Sequence, residues 1–148
     1  SFYGPQAGYN NGGYANSFFG YRSGYSNTSG GYNIFLGYYS GYLNTTGSNN
    51  ILLGNYSGYA NTTGSQNIMI GRFAGRNNST SGFNIYIGDY SGYQAGFSTT
   101  NDPEYNTYLG YQTGYYIREG ANNTFIGFQS GYGQNFSSTT GSKNTAMG

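Results

Sequence analysis

The stretch NIFLGYYSGYLNTTGSN (33–49), followed at once by NILLGNYSGYANTTGSQ (50–66), decides the fold, because two seventeen-residue segments match almost position for position. Working outward, NIMIGRFAGRNNSTSGF (67–83) and NIYIGDYSGYQAG from Asn84 continue the series. Toward the N-terminus stand SFYGPQAGYNNGGYA (1–15) and NSFFGYRSGYSNTSGGY (16–32), and toward the C-terminus NTYLGYQTGYYIREGAN (106–122), a longer unit at 123–143 and the stub NTAMG (144–148). A fixed period of this size is the signature of a stacked repeat array. The whole chain, 1–148, therefore reads as one array with units starting near 1, 16, 33, 50, 67, 84, 106, 123 and 144. It is expected to be a fragment of a longer fibre, with any export signal outside it.

Glycines hold the register. Gly4, Gly20, Gly37, Gly54, Gly71, Gly88, Gly110 and Gly127 are each followed four residues later by a second glycine. Length varies only after the tyrosine that follows that second glycine, in the units from Asn84 and Asn123, where surface loops absorb insertions.

Between each Asn and the first Gly lie three strand-forming residues, such as Ile34-Phe35-Leu36 or Ile68-Met69-Ile70. A helix is excluded, since no 3.6-residue stripe survives the Gly-x-x-x-Gly spacing. The expected fold class is all-β: a repeat β-solenoid, or β-roll, with rungs of about 17 residues. Each rung should hold a short strand, a glycine corner, a second extended piece and a polar turn. Rungs stacked at about 4.8 Å would make a rod of roughly 40 Å. The leading asparagines Asn33, Asn50, Asn67, Asn84, Asn106 and Asn123 would then form a structural ladder.

Successive strand side chains point to opposite faces, and both faces of the triplet are apolar. One coil covers one face. The other, carrying Phe18, Phe35, Leu52, Met69, Tyr86, Tyr108 and Phe125, is expected to be an oligomer interface, and a parallel homotrimer is the expected assembly.

Composition narrows the function. The 148 residues include 28 glycines, 20 tyrosines and 10 phenylalanines but no cysteine and no histidine, which removes thiolate chemistry, the usual general base and the commonest metal ligands. With only five basic and four acidic side chains, nothing resembles a polyanion-binding surface, and no apolar window is long enough to span a membrane. Catalytic residues, cofactors, metals, nucleic acid and membrane insertion of this segment are all unexpected; the chain reads as no enzyme.

Two candidate ligand sites remain. Tyr9, Tyr25, Tyr42, Tyr59, Tyr93, Tyr115 and Tyr132 would stack into an aromatic stripe interrupted by Arg76. Tyrosine faces beside polar donors suit sugar rings; the plainer reading is a stripe that stacks on itself and stiffens the rod. The long loops at 94–105, with Asp102 and Glu104, and at 133–143 are places where recognition is often built, or tolerated insertions.

NTFIGFQSGY (123–132), NTYLGYQTGY (106–115) and NTAMG (144–148), with NTTGSNN (44–50) and NTTGSQN (61–67) between cores, resemble the NTAxGYQA-type repeats of phage tail-fibre and trimeric bacterial fibre proteins. They are also similar to the shorter repeats of trimeric autotransporter adhesin heads, which form left-handed β-rolls packed as trimers. The resemblance implies a non-enzymatic extracellular fibre segment at a cell surface or on a virion. Its expected role is an adhesin or receptor-binding fibre contacting cell-surface carbohydrate. The alternatives are a passive shaft or, from Thr45-Thr46 and Thr62-Thr63, an ice-binding solenoid.

Overall fold

The computed structural model describes residues 1–96, 103–132 and 143–148. Nine strands are found among them: β1 (Phe2–Tyr3), β2 (Ser17–Phe19), β3 (Ile34–Leu36), β4 (Ile51–Leu53), β5 (Ile68–Ile70), β6 (Ile85–Ile87), β7 (Thr107–Leu109), β8 (Thr124–Ile126) and β9 (Thr145–Met147). They form a single sheet in chain order, and all pairs are parallel. The result is a β-solenoid of about eight turns. Identical positions sit above one another: Phe35 pairs with Leu52, and Leu52 with Met69. Where units are longer, the register is kept, since Ile85 still pairs with Thr107 and Thr124 with Thr145.

Counting Asn33 as position 1 of a rung, positions 1 and 3 point inward and positions 2 and 4 outward. Phe35 is fully buried, while Ile34 and Leu36 are 46% and 51% exposed. This corrects the expected interface. Phe18, Phe35, Leu52, Met69, Tyr86, Tyr108 and Phe125 form the column at the heart of the core and face no partner. The reason lies in the period of two: Asn33 and Phe35 are two apart, so the residue that shares a face with the buried asparagine is the middle of the triplet. A seventeen-residue coil has room for about one large side chain per rung at that level. Rings in the column stack directly, Phe18 on Phe35 at 4.7 Å and Tyr86 on Tyr108 at 5.0 Å between centroids.

The expected second extended piece is absent among the described residues; turns occupy that part of each rung. Backbone handedness explains it. In the third rung Gly37, Tyr39 and Gly41 have φ of 141°, 54° and 58°, and the same three positions repeat in the other rungs. Alternating positive φ winds the chain too tightly for a second strand. For Tyr39, Tyr56, Phe73 and Tyr90 this left-handed backbone costs about 1–2 kcal/mol each. It is held by interrung bonds such as Tyr56 N–H to the Tyr38 carbonyl at 2.8 Å. Gly54 is required for another reason as well: a Cβ there would collide with the Gly71 carbonyl oxygen of the next rung. Gly41 lies against the Phe35 ring in the same way.

The leading asparagines do form a column of hydrogen bonds. Oδ1 of Asn33 accepts the Asn50 backbone N–H at 2.9 Å, Oδ1 of Asn50 that of Asn67 at 3.0 Å, and the pattern runs on through Asn84, Asn106 and Asn123. Each Nδ2 from Asn33 to Asn106 donates across the coil to a turn carbonyl, as Asn50 does to Gly64 at 2.8 Å. A second ladder stands at position 12, in the stretch that the sequence marks as a polar turn. Asn27, Asn44, Asn61 and Asn78 are fully buried, and each Nδ2 donates to the Oδ1 of the preceding member. Serines at position 8 complete the lining, Ser40 donating to the Leu52 carbonyl and Ser57 to the Met69 carbonyl, both at 2.8 Å. The interior is thus a thin apolar column flanked by two ladders of hydrogen-bonded amides.

Candidate functional site

Positions 6, 7 and 10 lie on the wound side of the coil and carry most of the tyrosines. At position 10, Tyr9 stacks on Tyr25, Tyr25 on Tyr42 and Tyr42 on Tyr59, at 5.2 to 5.4 Å and within 24° of parallel. Arg76 then takes the place of a ring, its guanidinium carbon 5.2 Å from the Tyr59 centroid and 5.8 Å from that of Tyr93. Beyond it Tyr93 stacks on Tyr115 at 4.8 Å, and Tyr115 meets Tyr132 at 5.3 Å. All seven tyrosines of the expected stripe are therefore in one column.

A second column, not anticipated from sequence, runs through position 7. Tyr39, Tyr56, Phe73 and Tyr90 stack at 5.4, 5.2 and 5.0 Å. A shorter third set at position 6 pairs Tyr21 with Tyr38 and Tyr111 with Phe128. Between columns the rings meet at steep angles: 64° for Tyr39 and Tyr42, 74° for Tyr38 and Tyr39, 50° for Tyr90 and Tyr93. The signal was present in sequence, since position 7 holds four aromatics in consecutive rungs, but its neighbourhood to position 10 depends on the left-handed turn between them.

This geometry changes what the stripe can bind. Within a column each ring is stacked on the rings above and below it, so much of each face is taken up by its neighbours. Crowding has an electrostatic mark: burial and the neighbouring phenols raise the hydroxyl pKa of Tyr38, Tyr115 and Tyr132 above its ordinary value.

Three arginines sit in these columns. Arg22 lies 5.2 Å from the Tyr21 centroid and 5.4 Å from that of Tyr25, and donates to Gln6 Oε1 and to the Tyr39 hydroxyl. Arg72 lies over Tyr90 at 5.3 Å and makes a 3.4 Å ion pair with Asp89. Arg76 donates to Asn77 Oδ1 at 2.9 Å. Asp89 is the acid at these positions among the described residues.

The other candidates fall elsewhere. Glu104 is half-buried at the end of the first long loop, where its carbonyl accepts the Asn122 N–H at 3.0 Å; Asp102 lies outside the described residues, as do 97–102 and most of the second loop, 133–142. No group of three or more His, Cys, Asp or Glu residues that could hold a metal ion occurs among the described residues, and no helix there is long and apolar enough to cross a membrane. One hydroxyl of each threonine pair is spent on the fold: Thr45 and Thr62, like Thr28, donate to the carbonyls of Thr62, Ser79 and Thr45 respectively.

On the flat side of the rod, outward positions 2 and 4 make two continuous columns: Ser17, Ile34, Ile51, Ile68, Ile85, Thr107, Thr124 and Thr145 in one, Phe19, Leu36, Leu53, Ile70, Ile87, Leu109, Ile126 and Met147 in the other. No charged residue interrupts them. No family model matches the chain, and comparison with curated proteins and with solved structures finds no match.

Proposed function

We propose that the chain is a non-enzymatic segment of an extracellular fibre, on a cell surface or a virion, and that it serves as a rigid shaft built from parallel copies associated laterally as a homotrimer. One observation carries this reading: the two outward strand columns form an uncharged strip along the stack, apolar throughout at position 4 and from Ile34 to Ile85 at position 2, with Leu36 at 51% and Leu109 at 42% exposure. Strand geometry gives the strip an area of about 400 Å² over eight rungs, comparable to the largest apolar patch a monomer leaves bare. Its rungs repeat at one spacing, so a second copy in the same direction matches it rung for rung. Two such strips would bury about 800 Å² in all, a small interface, and each further rung would enlarge it in proportion. Three copies close the strips around one axis, and the likeness to trimeric fibre repeats favours that number.

Sedimentation equilibrium tests the assembly. A mass of three chains is expected for the native protein, falling to one chain in Leu53→Lys/Ile70→Lys with an unchanged circular dichroism spectrum; a native mass of one chain would remove the proposal. An adhesive role for the same fibre is favoured by a different observation, the exposed aromatic corner with its arginines, and is tested by binding of the purified rod to whole cells and to a glycan array.

A further inference from the structure

We infer that the aromatic corner is a binding site for extended, planar, anionic aromatic molecules that lie along the rod axis. The inference goes beyond the shaft reading and does not depend on trimer formation, because the corner and the apolar strip occupy different positions of each rung.

The argument starts from ring orientation. A stacked tyrosine offers solvent its rim, which is the positive edge of the ring quadrupole. The C–H groups of a sugar seek the negative face, and the faces of Tyr25, Tyr42 and Tyr59 are covered by one another. The partner that suits a row of rims is the face of a flat π system laid across them, edge to face. The position 7 column supplies such a row without a break from Tyr39 to Tyr90, about 15 Å long at the rung spacing. Tyr42 and Tyr59 lie against it at 64° and 49° to its rings, so the two columns make one aromatic surface running along the stack. A row of this length is matched by two or three linked aromatic rings held coplanar.

Charge sets the sign of the ligand. Arg22 stands at one end of the row and Arg76 beside its middle, and neither has a carboxylate partner among the described residues; Arg72 is neutralised by Asp89. Each guanidinium keeps unused donors, three on Arg22 and four on Arg76 by the hydrogen bonds made. Sulfonates or carboxylates at the ends of a planar ligand would meet them, and a cationic ligand would be repelled.

The test uses two elongated planar dyes on a monodisperse fraction, the disulfonated Congo red and the cationic thioflavin T. Congo red should bind with induced circular dichroism and more tightly than thioflavin T, and cellohexaose should not displace it. Tyr56→Gln/Phe73→Gln keeps the fold, because Gln112 and Gln129 already occupy the same left-handed position and hydrogen-bond to each other at 2.7 Å. That variant should bind Congo red about tenfold more weakly, having lost two rings of the row. Arg76→Tyr restores the position 10 consensus and should narrow the preference for Congo red over thioflavin T. Absence of dye binding, tighter binding of thioflavin T, undiminished binding by Tyr56→Gln/Phe73→Gln, or loss of binding in Leu53→Lys/Ile70→Lys would each overturn the assignment.

Discussion

Asn78 donates its Nδ2 to Oδ1 of Asn61 at 2.9 Å, while its own Oδ1 meets no donor. The next rung holds Ala95 at that position and the one after holds Ile117, so the inner amide ladder stops at Asn78 and apolar side chains continue the column. An internal member satisfies neighbours on both sides; the last satisfies one.

The two positions should differ in stability accordingly. Asn61→Ala removes the donor to Asn44 Oδ1 and should cost about 2–4 kcal/mol. Asn78→Ala also deletes an oxygen that is buried without a partner, so its cost should be lower. Exposed Thr63→Ala, one turn away, should stay within about 0.5 kcal/mol. Urea unfolding of the three variants measures this ordering, and equal losses at Asn61 and Thr63 would contradict a ladder role.

Gly54→Ala should be among the most damaging single-methyl changes in the rod. The residue has φ of 134° and a Cβ there would meet the Gly71 carbonyl oxygen, so both backbone strain and steric overlap apply. A loss above about 3 kcal/mol is expected, read as a lowered denaturation midpoint. Unaltered stability would mean the rungs are not packed at this spacing.

The buried tyrosines give a pH signature. Burial raises the hydroxyl pKa of Tyr86 and Tyr108 through loss of water; the neighbouring amides of Asn106 and Asn123 offset part of the rise without closing a well-formed hydrogen bond to either hydroxyl. A raised folded-state pKa keeps the folded state protonated after the unfolded chain has begun to ionise near pH 10. Their contribution is therefore complete below about pH 10 and is lost as pH climbs above it toward the folded-state values. Phenylalanine already fills this column at Phe18, Phe35 and Phe125. Tyr108→Phe should gain about 1 kcal/mol at neutral pH and flatten the alkaline fall of the melting temperature. A steeper alkaline fall in the variant would contradict the assignment.

The outward and inward residues of one strand should respond oppositely to charge. Leu53→Lys should leave the chain folded and weaken lateral association, since position 4 faces out. Leu52→Lys buries an unpaired ammonium in the core column and should unfold the rod. Circular dichroism together with sedimentation separates the two outcomes. Both variants folding equally well would put the middle residue back at a surface.

Much of this architecture is written in the chain. The seventeen-residue period, the invariant spacing of Gly54 and Gly58 and their equivalents, and the confinement of extra residues to one side of the rung all follow from sequence, because stacked identical units must keep one register. That an asparagine leads each strand from β2 to β9 was equally visible. What sequence left open was direction. Alternation places Asn33 with Phe35 and Ile34 with Leu36, yet it is silent on which pair faces the axis, and both pairs include apolar residues. The bend of the coil decides that, and the bend comes from positive φ at Gly37, Tyr39 and Gly41, where a tyrosine adopts a backbone its type ordinarily avoids. The same turn brings positions 7 and 10 together and draws Asn44 and Asn61 out of an apparently polar loop into the core. Those outcomes depend on contacts between rungs, seventeen residues apart in the chain, and only the closed coil could settle them.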